Sequence, residues 1–268
     1  MKYTANGSII TYHADNTSRI GEDTVLLQSA QHLTAAPWRE KGYTVQPLYT
    51  SNEYALFTKA THSLLIACWK KSGLAVDASF ALENYHRIAT DQEAHLKAVQ
   101  ETKLLSTQHF PLGIKKIIQR ISAICETELE AVNPFDGESV FHFRVVRPRS
   151  HDNNPIHRDV WLEDYKDCIN LYIPVAGSNE KSSLIIVPES HYWPESRVAR
   201  TLQGAQINGT QFNVPAATAI EGDVAYVRPN PAPNEVLVFS PYLLHGGAVN
   251  LNEGITRISI ELRLWKKS

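Results

Sequence analysis

The stretch Arg257-Ile258-Ser259-Ile260-Glu261-Leu262-Arg263-Leu264-Trp265 alternates apolar and polar residues without a break. Successive side chains of a strand point to opposite faces. Ile258, Ile260, Leu262 and Leu264 therefore line one side, and Arg257, Ser259, Glu261 and Arg263 the other. The apolar side wants a core of helices, which turns Arg257 and Ser259 toward the interior of a sheet or barrel. A guanidinium there needs an anion, and a carboxylate matches its planar fork bidentately. Ser259 can add a hydroxyl donor to the same carboxylate. For Arg257 taken alone, an internal partner such as Glu261 is an equal reading.

Working outward, the second half of the chain has the texture of short strands. Phe141, Phe143 and Val145 alternate with His142, Arg144 and Val146, and Ile169, Leu171 and Ile173 alternate with Asn170 and Tyr172. Leu184-Ile185-Ile186-Val187 and Val236-Leu237-Val238-Phe239 are apolar runs, closed by Pro188 and Pro241. Such strands between proline- and glycine-rich loops point to an all-β sandwich or barrel. Pro229-Asn230-Pro231-Ala232-Pro233-Asn234 reads as a surface loop. The first half reads as mostly helical. Thr50-Ser51-Asn52-Glu53 is a capping-box pattern, and Lys70-Lys71-Ser72-Gly73 supplies a basic end and a stop. Thr90-Asp91-Gln92-Glu93 repeats the pattern, and a third helix is expected from Leu112 to Leu129 with Ile114, Ile117, Ile118, Ile121 and Cys125 on one face. No linker divides the chain. The expectation is one domain over 1–268, with a helical part (1–135) buttressing a barrel (136–268).

Composition narrows the partners. The 268 residues are 43% hydrophobic, enough for a well-buried core. A net charge of −2 gives no footprint for nucleic acid. Cys68, Cys125 and Cys168 are odd in number and lack metal-like spacing, so they read as free thiols in a reducing compartment. The start lacks the apolar run of a signal peptide, and no stretch is long enough to span a bilayer. A cytoplasmic protein off the membrane is expected.

Chemistry enters with Ile156-His157-Arg158-Asp159. Residues two apart on a strand share a face, so His157 and Asp159 can hold one ion together while Arg158 points away. A lone H-x-D in a chain with 11 histidines is weak, and a solvated loop pair is the bland alternative. A third ligand must come from elsewhere. His191, His142 and His151 compete for the role. His245 is preferred because it follows an apolar strand directly and precedes the Arg257–Ser259 strand. Two imidazoles and a carboxylate on one face of an iron leave positions open for a co-substrate and oxygen.

With these motifs in order, the chain resembles the iron(II)/2-oxoglutarate-dependent oxygenases, and within them the phytanoyl-CoA dioxygenase-like branch. Trp38 to Val45 is similar to the "residue-Gly-Tyr" strand that opens those proteins, and His157-Arg158-Asp159 matches their H-x-D. Ser183 to His191 resembles G-x-L…P-G-S-H, with Ser183 and Glu189 where glycine is usual. Phe239 to Asn250 resembles the distal-histidine segment, and Arg257 with Ser259 matches R-x-S. The resemblance implies a double-stranded β-helix, a jelly-roll, cupin-like barrel with helices packed on one sheet. It implies Fe(2+) on His157, Asp159 and His245, and 2-oxoglutarate as co-substrate with its far carboxylate on Arg257 and Ser259. Asn170 and Tyr172 are expected to reach the 2-oxo acid. His142, Arg144, Arg149 and His191 are expected near substrate.

The implied reaction is hydroxylation or a related oxidation of a small molecule, with succinate and carbon dioxide as co-products. Halogenating relatives have a small residue in place of the aspartate, so Asp159 points away from halogenation. Arg144, Arg147, Arg149 and Arg158, expected near the mouth, point to a polar substrate with a negative group. The rival readings are a non-catalytic jelly-roll that binds a metal or small ligand, and a zinc hydrolase.

Overall fold

The computed structural model describes residues 1–268 except His151, Asn208 and Ser268, and except the side chains of Gln28, Ser29 and Gln31. Its N-terminal part contains β1 (Lys2–Ala5), β2 (Ser8–Thr11), β3 (Ser18–Ile20), one helical turn α1 (Gln31–Thr34) and β4 (Tyr43–Pro47). Three longer helices follow: α2 (Ser51–Lys71), α3 (Gln92–Lys103) and α4 (Ile114–Cys125). The remaining strands are β5 (Leu129–Glu130), β6 (Phe141–Val146), β7 (Cys168–Ala176), β8 (Ile185–Ile186), β9 (Val198–Thr201), β10 (Ala205–Ile207), β11 (Thr210–Phe212), β12 (Ala217–Ile220), β13 (Glu235–Phe239), β14 (His245–Gly246) and β15 (Arg257–Lys266).

The expected helix signals act as read. Thr50 closes a full capping box with Glu53, and α2 runs to Lys71. In α3 the cap is Asp91, whose side chain accepts from Ala94 N. The third helix is shorter than expected, ending at Cys125 because Glu126 turns left-handed. The first half is less helical than expected. The strands before residue 50 are three to five residues long, too short for periodicity to reveal; β1 and β2 pair as a local hairpin, while β3 and β4 pair with partners far along the chain.

The major sheet has the order β4-β13-β7-β15-β5, with β6 also on β15. Its apolar face packs Ile258, Ile260, Leu262 and Leu264 against Trp69, Leu65, Ile117 and Ile121 of the helices. A second, discontinuous sheet faces the other side. There β12, β9 and β3 are joined through Ala217 N to Ile156 O (2.8 Å), and a ladder runs His157–His245–Ile186–Val227. Tyr172, Leu237 and Phe239 of the major sheet meet Leu184, Ile186 and Leu243 of the second in one buried cluster. The inward polar face of β15 thus lines the same cavity as the two histidines.

Candidate metal centre and its cavity

His157 and His245 are direct cross-strand neighbours. His157 N donates to His245 O at 2.8 Å and His245 N to His157 O at 2.9 Å. In such a pair the side chains emerge on the same side, and the two rings lie 4.4 Å apart. Arg158 is extended (φ −110°, ψ 136°), so Asp159 returns to the side of His157 before the chain bends into a short turn over Asp159–Trp161. Gly246 allows the approach. At φ +114° a Cβ there would stand 2.2 Å from Pro155 O and 3.0 Å from His157 Nδ1.

The ligand atoms of His157, Asp159 and His245 all lie within 4.8 Å of one another, and all three residues are buried. The hydrogen bonds fix what those atoms can do. His157 Nδ1 donates to Pro155 O at 2.8 Å, and His245 Nδ1 to Leu243 O at 2.9 Å. Carbonyls only accept, so each Nδ1 carries a proton and each ring turns its Nε2, the lone-pair position of a neutral imidazole, inward. These lone pairs face Asp159 Oδ1 at 3.2 and 3.7 Å. Asp159 Oδ1 itself is buried with no hydrogen-bond partner. Three acceptors turned on one point are repulsive until a cation sits between them. Two imidazoles and a carboxylate suit iron(II), and also zinc.

Burial, with His157 alongside, draws His245 down to about 4, so this ring is neutral near pH 7. Burial alone would raise Asp159. Arg263 and the two histidines outweigh it and hold the carboxyl well below the usual range. Arg263 supplies Nε and Nη2 to Asp159 Oδ2 at 3.1 and 3.0 Å. One carboxylate oxygen is therefore occupied and the other is free toward the histidines. The guanidinium also stacks over Tyr165 at 4.3 Å. Alternation along the strand puts Arg263 on the inward face, and no local pattern ties it to Asp159. Its position six residues after Arg257 on one face of β15 was the available signal.

The triad lines a cavity that also takes in Arg257, Asn170, Tyr172 and Arg144. Arg257 is 2% exposed. Its Nη1 donates to Ser259 Oγ at 2.8 Å, and its Nε has no partner. Glu261, the internal acid that competed for it, is held by Arg144 Nε at 2.7 Å instead. Among the described residues Arg257 has no carboxylate within ion-pair distance, so a buried guanidinium lines the cavity with Glu261 acting on it only from further away. Tyr172 lies with its ring 5.8 Å from that guanidinium, and its hydroxyl shares a hydrogen bond with Ser178. Asn170 is buried with Nδ2 unpartnered. Arg144 and Arg263 also line a wider groove that opens outward between α3 and residues 210–214.

Other expected contacts lie elsewhere. Arg149 sits in a left-handed turn, faces solvent and pairs with Glu253, because the loop carries it off the cavity wall. His191 is 2% exposed and away from the cavity; its Nε2 donates to Arg39 O at 2.7 Å. His142, on β6, faces the outer groove, and burial draws it down to about 4. Arg147 is spent on Asp152. Arg158, expected at the mouth, is buried and paired with Glu195. His151 lies outside the described residues.

No protein-family model matches the chain. No curated protein sequence matches it either. Solved structures do match in shape. EctD from S. alaskensis, solved with 2-oxoglutarate and 5-hydroxyectoine, aligns at 12% identity over 95% of this chain and 86% of its own, with a TM-score of 0.50. EvdMO1 aligns at 16% identity over 88% of this chain and 50% of its own, with a TM-score of 0.50. AviO1 from Streptomyces viridochromogenes Tue57 aligns at 17% identity over 86% of this chain and 92% of its own, with a TM-score of 0.48. At these identities the likeness is one of fold. The fold is a double-stranded β-helix with helices on one sheet. Among the described residues no helix is long and apolar enough to cross a membrane.

Proposed function

We propose that the chain is an iron(II)- and 2-oxoglutarate-dependent oxygenase that hydroxylates or otherwise oxidises a small molecule. The observation that carries this reading is the pairing, in one cavity, of a buried three-acceptor cluster with a buried cation that, among the described residues, has no acid within ion-pair distance. The first asks for a metal and the second for a carboxylate; a bare metal site has no use for the second. A protein of the same fold, EctD, has been solved with 2-oxoglutarate and 5-hydroxyectoine, which supports the same assignment here. The sequence motifs support placement in the phytanoyl-CoA dioxygenase-like branch.

His157, Asp159 and His245 would hold iron(II), and Arg257 with Ser259 would take the far carboxylate of 2-oxoglutarate. Bound together, the metal and co-substrate supply oxidation of a C–H bond by oxygen, with succinate and carbon dioxide as co-products. The chain's own residues bind, orient and exclude water. Arg263 holds Asp159 to one free oxygen. Asn170 Nδ2 offers the co-substrate a hydrogen-bond donor. Arg144 commits Nε to Glu261 and lines both the cavity and the outer groove, so its remaining N–H edge suits an anionic group on the substrate. The three thiols are free and buried, which suits the cytoplasm.

The test is spectroscopic. Anaerobic protein with iron(II) is titrated with 2-oxoglutarate, and a weak visible charge-transfer band is expected. Its absence, with metal bound, would remove the co-substrate and leave a zinc-type hydrolase or a binding protein. Succinate release stimulated by anionic over matched neutral candidates would then support the substrate class.

A further inference from the structure

We propose that residues 188–195 form a positioning clamp for the metal centre, with Ser190 as the hub that joins the two chain segments carrying its ligands. The inference rests on the metal-centre reading above. Ser190 is fully buried. Its Oγ accepts from Leu244 N at 2.8 Å, one residue before His245, and donates to Val187 O at 2.7 Å. Its carbonyl accepts from Arg158 Nη2 at 2.7 Å, and Arg158 stands between His157 and Asp159. One residue therefore grips both segments at positions adjacent to all three ligands.

The grip continues along the segment. Arg158 Nη1 pairs with Glu195, and Nη2 also reaches Trp193 O at 3.3 Å. The other Glu195 oxygen accepts from Trp161 Nε1 at 2.8 Å. The short turn that begins at Asp159 is thus held on both sides of the ligand, at Arg158 and at Trp161. The clamp is itself pinned. His191 donates to Arg39 O, and its ring lies against Gly42 so closely that a Cβ there would come within 2.7 Å of it. Glu195 N donates to Thr24 O at 2.9 Å. Glu189 takes the left-handed φ of +64° needed to turn the chain into this path.

The local backbone gives a reason for such a device. His157 and His245 meet through one isolated bridge, β14 is two residues long, and Asp159 lies outside any strand. So short a ladder leaves the ligands' spacing weakly fixed, while a metal demands it within a few tenths of an ångström. Ser190, Arg158 and Glu195 act as positioning residues: their hydrogen bonds hold the chain at Leu244, Arg158 and Trp161, beside the ligands, and supply no ligand atom.

The test uses the full-length, metal-free protein titrated with cobalt(II), whose visible spectrum reports coordination. Ser190→Ala removes the acceptor of Leu244 N. It is expected to weaken cobalt affinity about ten- to a hundredfold and to alter the spectrum, in protein that is folded by circular dichroism. Arg158→Met is the second variant and decides the matter if Ser190→Ala does not fold. Ile117→Val, in the helical core of α4, is the control for general loss of stability and should leave affinity and spectrum as in wild type. Wild-type affinity and spectrum in the folded clamp variant overturn the inference alone. Equal weakening in Ile117→Val overturns it too, reducing the segment to ordinary packing. A wild-type protein that binds no cobalt overturns the metal-centre reading and this inference with it.

Discussion

The two faces of β15 are finished to different degrees. On the outer face Ile258, Ile260, Leu262 and Leu264 are each no more than 1% exposed and pack into the helices, with nothing left to satisfy. On the inner face Glu261 is matched by Arg144 and Arg263 by Asp159, while among the described residues Arg257 has Ser259 as its hydrogen-bond partner and no ion pair. Buried polar groups are normally paired, and charged ones cost most when they are not. Arg257 Nε and Asp159 Oδ1 remain without partners on the cavity side. One strand therefore carries two kinds of face: the outer one packs into the core, and the inner one keeps buried polar atoms without partners among the described residues. Changes to one face should leave the other's property nearly untouched.

The sharpest break is at the metal. His245→Ala should abolish metal binding, read by calorimetric titration, while circular dichroism stays native. Retained affinity there, with loss in His191→Ala, would move the third ligand. Next comes the cation of the inner face. Arg257→Ala should weaken 2-oxoglutarate binding by on the order of 3–5 kcal/mol, since the co-substrate's buried carboxylate loses its charged partner. Metal affinity should barely change, and comparable 2-oxoglutarate affinity in mutant and wild type would sink the assignment. On the outer face, Ile260→Ala should cost about 2–5 kcal/mol of unfolding free energy in urea melts. Metal and 2-oxoglutarate affinities should hold, and a large fall in either would show that the faces are coupled.

The smallest effect concerns pH. Burial would raise Glu261, but Arg144, Arg263 and Arg257 outweigh it and hold its carboxyl down to about 2. The folded value is below the unfolded one, so this contribution is full above the ordinary carboxylate range and fades as pH falls through it toward about 2. Arg144→Gln should therefore cost stability near neutral pH, by about 1 kcal/mol for a partly buried pair whose acid keeps Arg263 and Arg257 nearby. The gap to wild type should close as the pH of the urea melts is lowered. A gap that is constant with pH would mean that Arg144 acts through packing alone.

What could be read in advance followed from local periodicity. Alternation assigned each residue of β15 to a face, and spacing of two put His157 and Asp159 together. The preference for His245 rested on its place after an apolar strand, and the structure sets it in direct register with His157. The misplacements have one cause. Arg149 and Arg158 were read as mouth residues from their nearness in sequence to the metal motif. Arg158 points away from His157 and Asp159, as the period of two requires. Whether that side meets solvent or Glu195, 37 residues further on, depends on which segment lies behind it.

The sequence by itself determined the periodic and the covalent: which side chains share a face, where helices are capped, and which groups can bind a metal. Only the tertiary structure decided the partners. Arg263 grips Asp159 across 104 residues and Ser190 reaches Leu244 across 54. Glu261 went to Arg144 across 117, which left Arg257 without an ion-pair partner among the described residues. Hydrogen bonds and ion pairs act over a few ångströms in space and are indifferent to separation along the chain, so no local pattern encodes them. Packing the two sheets and the helices on one core fixes them all at once.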